Sequence, residues 1–296
     1  MDKRIEKIRA EERRYHEACY DQYRLFEAGS WLYKPVRTVM DTLAVLDSRE
    51  SLFVLDLGCG VGRNSIPIAG KLQGRKEKVV CVDLLESAIA KLEGYSETHG
   101  VGEYIEAHVC DIGEYEIAEN AFDYIIAVSA LEHVESERKL EQVLERMVRG
   151  TKPHGVHCII MSTNVHEVDP FTSEELETYM EVNMTTNQAQ ACLSKAYADW
   201  ELIFTTLKPL EFTIERNDRL VLLQSDCLTF VVQRKYTKRV MAHTVQESGN
   251  PAFTDEEREY GFVLRWVRFN EALPLLEQDQ PAEAVTPIPC KESVKT

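Results

Sequence analysis

Val54-Leu55-Asp56-Leu57-Gly58-Cys59-Gly60-Val61-Gly62-Arg63-Asn64 is an apolar strand that ends in three alternate glycines and passes at once into a helix. Glycines at such a turn allow positive φ and remove the Cβ atoms that would block a ligand. The first turn of the helix offers free N–H groups to an anion. Outward from this stretch, apolar runs at 52–57, 78–83, 104–109, 122–128 and 155–161 read as strands, and helical patterns fill 64–72, 86–98 and 138–148. Strand–helix alternation of this kind predicts an α/β fold, an open, mostly parallel sheet with helices on both faces. Further strands are expected at 200–207 and 219–233, the second folded as a hairpin around Gln224–Asp226, which gives an antiparallel strand near the C-terminal end.

The glycine spacing selects the ligand class. A dinucleotide fingerprint needs G-x-G-x-x-G, and its third glycine falls on Arg63 here. This chain reads D-x-G-x-G-x-G, with Asp56 two residues ahead of Gly58. A carboxylate there repels a pyrophosphate and attracts the ammonium of an amino-acid-bearing cofactor. Asp83 ends the next strand 21 residues after Gly62, where it is placed to accept hydrogen bonds from a ribose.

Four elements in order resemble the class I S-adenosylmethionine-dependent methyltransferases, a Rossmann-like fold, over about residues 51–236. They are D-L-G-C-G-V-G from Asp56, Val82-Asp83, Cys110-Asp111-Ile112, and F-D-Y-I-I-A-V-S-A-L-E-H from Phe122 to His133. The resemblance implies that Gly58, Cys59, Gly60 and Gly62 cradle the methionine moiety of S-adenosyl-L-methionine. It implies that Asp83, with Leu84 beside it, takes the ribose hydroxyls, and that Asp111 and Ile112 meet the adenine. Ser129 and Ala130 would line the methyl-transfer pocket. Two stretches, Gly60-x-Gly62-Arg63-Asn64-Ser65 and Tyr197-x-Asp199-Trp200-Glu201-Leu202-Ile203, are similar to the tellurite-resistance methyltransferases. Where many of those carry a glutamate-leucine-histidine-arginine cluster, this chain has Pro209-Leu210-Glu211-Phe212-Thr213, with neither His nor Arg. The acceptor is left open among thiol, amine, carboxylate and oxyanion.

Methyl transfer from a sulfonium is an in-line displacement governed by positioning, and a base is needed only for a protonated acceptor. His133, just past the fourth strand, is the expected base, because an unperturbed histidine titrates near pH 6.5. Arg63 and Asn64 are candidates for the cofactor carboxylate or an anionic acceptor, with a surface salt bridge as the alternative for Arg63. Trp31 and Tyr33 either close over the sulfonium or simply pack. His154 and His157, three apart on a strand, point to opposite faces, so no metal site is expected.

The 296 residues carry 34 Lys and Arg against 50 Asp and Glu, a net charge of −16. That balance disfavours nucleic acid and anionic membranes. DNA amino-methyltransferases carry Asn or Asp before Pro-Pro-aromatic, whereas this chain has Ser129-Ala130-Leu131-Glu132. The expected partner is a small-molecule acceptor. A catalytically silent cofactor-binding module and a protein methyltransferase stand as alternatives. Eight cysteines, no two closer than 22 residues, form no C-x-x-C pair, and the N-terminus lacks an apolar leader. Both point to a reduced, cytoplasmic chain.

Three regions are expected: a helical arm at 1–50, the cofactor-binding domain at 51–236, and an extension at 237–296 with one strand near 260–269 and a proline-containing tail from Glu271. Between them, Thr172 and Glu175 fit a capping box with Phe171 and Leu176 as a hydrophobic staple, which predicts a helix to about Met180. Residues 184–191 read as a loop. The 165–198 region is expected to roof the pocket and select the acceptor, with Tyr179, Met180 and Met184 as its apolar contacts.

Overall fold

The computed structural model describes residues 2–46, 49, 51–75, 77–216 and 219–235. Seven strands form one sheet: β1 (Val54–Leu57), β2 (Val79–Asp83), β3 (Ile105–Val109), β4 (Phe122–Val128), β5 (Thr151–Val168), β6 (Glu201–Arg216) and β7 (Arg219–Gln233), in the order β3-β2-β1-β4-β5-β7-β6. The first five run parallel, and β7 lies antiparallel to both β5 and β6. The order reverses at β1, and there the glycine turn leaves the sheet.

Alternate residues of the central strands divide between two apolar cores. Val54, Cys81, Tyr124, Ile126 and Cys158 face α2 (Arg37–Val45), α3 (Ser65–Lys71) and α4 (Glu86–Thr98). Leu55, Val80, Val82, Ile125 and Ile159 face α5 (Glu137–Gly150) and α6 (Thr186–Ala196). A strand buried on both faces reads as a continuous apolar run, so these elements stand out in the sequence. Asp56 and the glycines are the exceptions within the run. α1 (Lys3–Gln22) docks with Ile5, Ile8, Cys19 and Tyr20 buried.

The second half departs from the sequence reading in three places. Residues 171–180 are not helical. The Asp169 carboxylate accepts from the N–H of Phe171 and Thr172, and the chain then returns beside β5, with Leu176 N–H on Glu167 O and Glu175 bridged to Val168. Phe171 is 83% exposed and staples nothing. The capping box is instead Thr185 with Gln188, and it opens α6 within the stretch expected to be loop. Thirdly, β7 runs unbroken through Gln224–Asp226, and the hairpin is formed by β6 against β7, paired from Glu201↔Gln233 to Arg216↔Arg219. The strand expected near 260–269 and the tail from Glu271 lie outside the described residues.

The seven described cysteines are free thiols. Among the described residues no helix is long and apolar enough to cross a membrane.

Candidate active site

The carboxyl ends of β1, β2, β3 and β4 bring the sequence-predicted residues to one edge. Gly58, Gly60 and Gly62 have φ of 74°, 54° and 92°. A Cβ on Gly58 would stand 2.4 Å from the Ala130 Cβ, so the loop lies flush against the end of β4. Asp83 closes the turn from below: its Oδ2 accepts from Gly60 N–H at 2.8 Å and its Oδ1 from Leu85 N–H at 2.9 Å. Burial pushes its pKa up, against these two bonds. Each oxygen keeps a further lone pair for a ligand hydroxyl. Leu84 is exposed beside it.

Asp56 is 1% exposed and is held by the Ser65 hydroxyl. Burial raises its pKa to about 7. Asn64 accepts from Val36 N–H at 2.9 Å through Oδ1, which ties the helix start to the N-terminal segment. Arg63 forms no surface salt bridge among the described residues. Its Nη1 donates to Trp31 O at 2.7 Å and its guanidinium covers the Trp31 ring at 5.2 Å. Trp31 packs edge-on against His16 and Tyr20, and Tyr33 is exposed. Past the end of β3, Asp111 Oδ1 accepts from Gly113 N–H, Oδ2 pairs with Arg9 at 2.8 Å, and Ile112 is buried. Cys59 and Ala130 are also buried, and Ser129 takes φ 49° with its N–H on Ile160 O.

His133 lies on a 3-10 turn (Leu131–His133) with Nδ1 3.0 Å from Glu181 Oε2. Burial disfavours its charge, but the Glu181 bond and the nearby Glu12 and Glu132 outweigh that and hold the pKa at about 9. That balance favours the imidazolium, which has no lone pair with which to accept a proton. This alters the role expected from an unperturbed histidine. His157, on β5, is fully buried between Thr151 and Tyr197 and packs against Trp200. The Tyr197–Trp200 stretch is therefore an aromatic knot level with Ile125 in mid-sheet, not part of this edge.

Sequence reasoning missed what α1 contributes. Tyr20 Oη stands over Gly60, 3.2 Å from where a Cβ would be. Glu12 pairs with Arg216 at 2.6 Å, and Arg9 bridges Asp111 to Glu181. Arg4 donates to Met180 O, and Val182 N–H donates to Glu132 O, so the 177–183 segment crosses the 3-10 turn. Tyr179, Met180 and Met184 are buried. The only sequence signal was the row Arg9, Glu12, His16 and Tyr20 at three- and four-residue steps, which reads as a solvated helix face until a partner covers it.

Residues 54–155 match the family model described as a methyltransferase domain. Curated relatives match over parts of their length. The ubiquinone biosynthesis O-methyltransferase of Rickettsia conorii is 29% identical over 111 residues, 37% of this chain and 35% of that protein. The norajmaline N-methyltransferase of Rauvolfia serpentina is 25% identical over 190 residues, 62% of each. This chain thus spans about a third to three fifths of the length of these relatives. Among solved structures, TehB from Haemophilus influenzae shares the fold, with TM-score 0.50, 24% identity, and coverage of 67% of this chain and 62% of that one.

Proposed function

We propose that this chain transfers a methyl group from S-adenosylmethionine to a small-molecule acceptor. One observation carries the reading: a flush glycine loop, Asp83 and Asp111 meet at the edge where the sheet order reverses, inside a segment that matches a methyltransferase-domain model. In open α/β sheets ligands bind at such a switch point. The names of the relatives support the acceptor class, since they include ubiquinone biosynthesis, norajmaline and phosphoethanolamine methyltransferases.

The residues fit the cofactor. Gly58 and Gly60 leave backbone bare where a side chain would otherwise stand, and Asp83 retains acceptor capacity for a ribose. Gly62, Cys59, Arg63 and Asn64 shape the loop around the methionine end, and Asp56, buried against the Ser65 hydroxyl, braces that loop from behind instead of meeting the ammonium directly. Asp111 and Ile112 serve the adenine, with Arg9 orienting the Asp111 carboxylate. The bound cofactor supplies an electrophilic methyl group on a sulfonium. Ser129 and Ala130 border the path of approach, and 177–183 with α1 exclude water above it. The charged His133–Glu181 pair anchors that roof.

The test is release of S-adenosylhomocysteine from S-adenosylmethionine against a panel of thiols, amines, phenols, hydroxy acids and oxyanions, with a peptide mixture in parallel. Turnover with a small molecule and none with peptide is expected. Turnover with peptide alone would make this a protein methyltransferase.

A further inference from the structure

Two histidines belong to one electrostatic cluster at the glycine-loop edge, and their surroundings drive them to opposite charge states. His133 is held as an imidazolium by Glu181. His16 sits one turn after Glu12 on α1 and one turn before Tyr20, whose hydroxyl stands over Gly60. The rings of Tyr15, Tyr20 and Trp31 lie 5.5, 5.7 and 6.1 Å from its own. Its Nε2 is 3.6 Å from Glu12 Oε2, while Nδ1 is buried with no hydrogen-bond partner among the described residues.

The charged groups that face His16 come from four elements: Glu12 on its own helix, His133 on the 3-10 turn, Asp83 at the end of β2, and Arg216 at the end of β6. Burial lowers its pKa against the pull of Glu12 and Asp83, and the charges of His133 and Arg216 lower it further. These surroundings favour the neutral ring. The carboxylate on the Nε2 side favours the tautomer with its proton there, which leaves the lone pair on Nδ1. Such an orphaned basic nitrogen needs an explanation in a folded protein.

We propose that His16 Nδ1, in place of His133, takes the proton from the methyl acceptor, and that this acceptor is an O–H or N–H compound still protonated when it binds. The proposal rests on the methyl-transfer reading above. The acceptor's lone pair forms the new bond to the methyl carbon, leaving the old bonding pair on sulfur as a neutral thioether. The acceptor's proton moves to Nδ1 and from there to solvent. An oxyanion acceptor, already deprotonated, has no proton for Nδ1 to take. Glu12 acts as a positioning residue that fixes the tautomer.

Nitrogen-15 NMR of histidine-labelled protein reads charge and tautomer without any turnover. At pH 7 His16 is expected neutral with its proton on Nε2, and His133 charged. The variants H16N and H16Q should bind S-adenosylhomocysteine within about twofold of wild type by calorimetry. Their turnover on a panel of phenols and primary amines should fall at least ~100-fold, the lower end for loss of a general base. An imidazolium His16 at pH 7, a proton on Nδ1, or an H16N variant with wild-type turnover would overturn the proposal. Failure of the wild-type chain to bind S-adenosylhomocysteine would instead overturn the methyltransferase reading, while the NMR result still decides the state of His16.

Discussion

The half of the sheet formed by β1 to β4 and the cap formed by α1 with residues 169–184 are built by different rules. In the first, β1, β2 and β4 are buried on both faces, β3 is a half-exposed edge strand, and each helix lays one stripe on the sheet, so local sequence and final structure agree. In the cap, partly buried ion pairs such as Glu12–Arg216 and Arg9–Asp111 join residues far apart in the chain. A buried pair has to recover the desolvation of both charges, and it does so only when its partners arrive together. The proposed site lies on the seam, with its proposed cofactor edge in the first region and its proposed acceptor edge in the second.

The largest effect should come from Gly58→Ala. The new Cβ meets Ala130 at 2.4 Å on a backbone with φ 74°. Overpacking and left-handed strain together should cost about 3 kcal/mol, measured by urea unfolding. A near-neutral result would mean that the loop and β4 are not packed as described.

The cap should respond to pH instead. The folded pKa of His133 is raised from 6.5 to about 9, so its stabilisation is fully present below about pH 6.5 and is lost as the pH rises through about 9. The loss should be of order 2 kcal/mol, since the ring is partly exposed. In E181Q that decline should flatten. A wild-type stability that is constant from pH 6.5 to 9.5 would dissolve the proposed anchor.

A smaller contrast separates the two candidate helix starts. Thr185→Ala removes the cap of α6 and should cost about 1 kcal/mol. Thr172→Ala should cost almost nothing, because its hydroxyl makes only a 3.4 Å contact within an exposed turn. The reverse order would restore the helix expected at 171–180.

These contrasts mark where the sequence was legible. The boundaries at 86–98 and 122–128 were read without error, because apolar periodicity reports burial directly. The glycine loop, Asp83 and Asp111 were visible because loop geometry and strand ends are local. Residues 171–180 misled because Thr172-x-x-Glu175 is a genuine capping signature, overruled by Asp169 and by free hydrogen-bonding groups on β5. His16 and Glu12 were invisible as site residues. Nothing in a helix's own sequence distinguishes a polar face turned to water from one turned to a sheet edge 60 or 200 residues away.

The central claim is that the glycine-loop edge holds S-adenosylmethionine, and isothermal titration calorimetry of the wild-type chain and D83N tests it most directly. The account predicts that S-adenosylmethionine and S-adenosylhomocysteine bind and NAD does not. It predicts that D83N binds about 1.5–3 kcal/mol more weakly, the scale of hydrogen bonds to a charged group. Binding of NAD, or a D83N variant with wild-type affinity for S-adenosylmethionine, would contradict it.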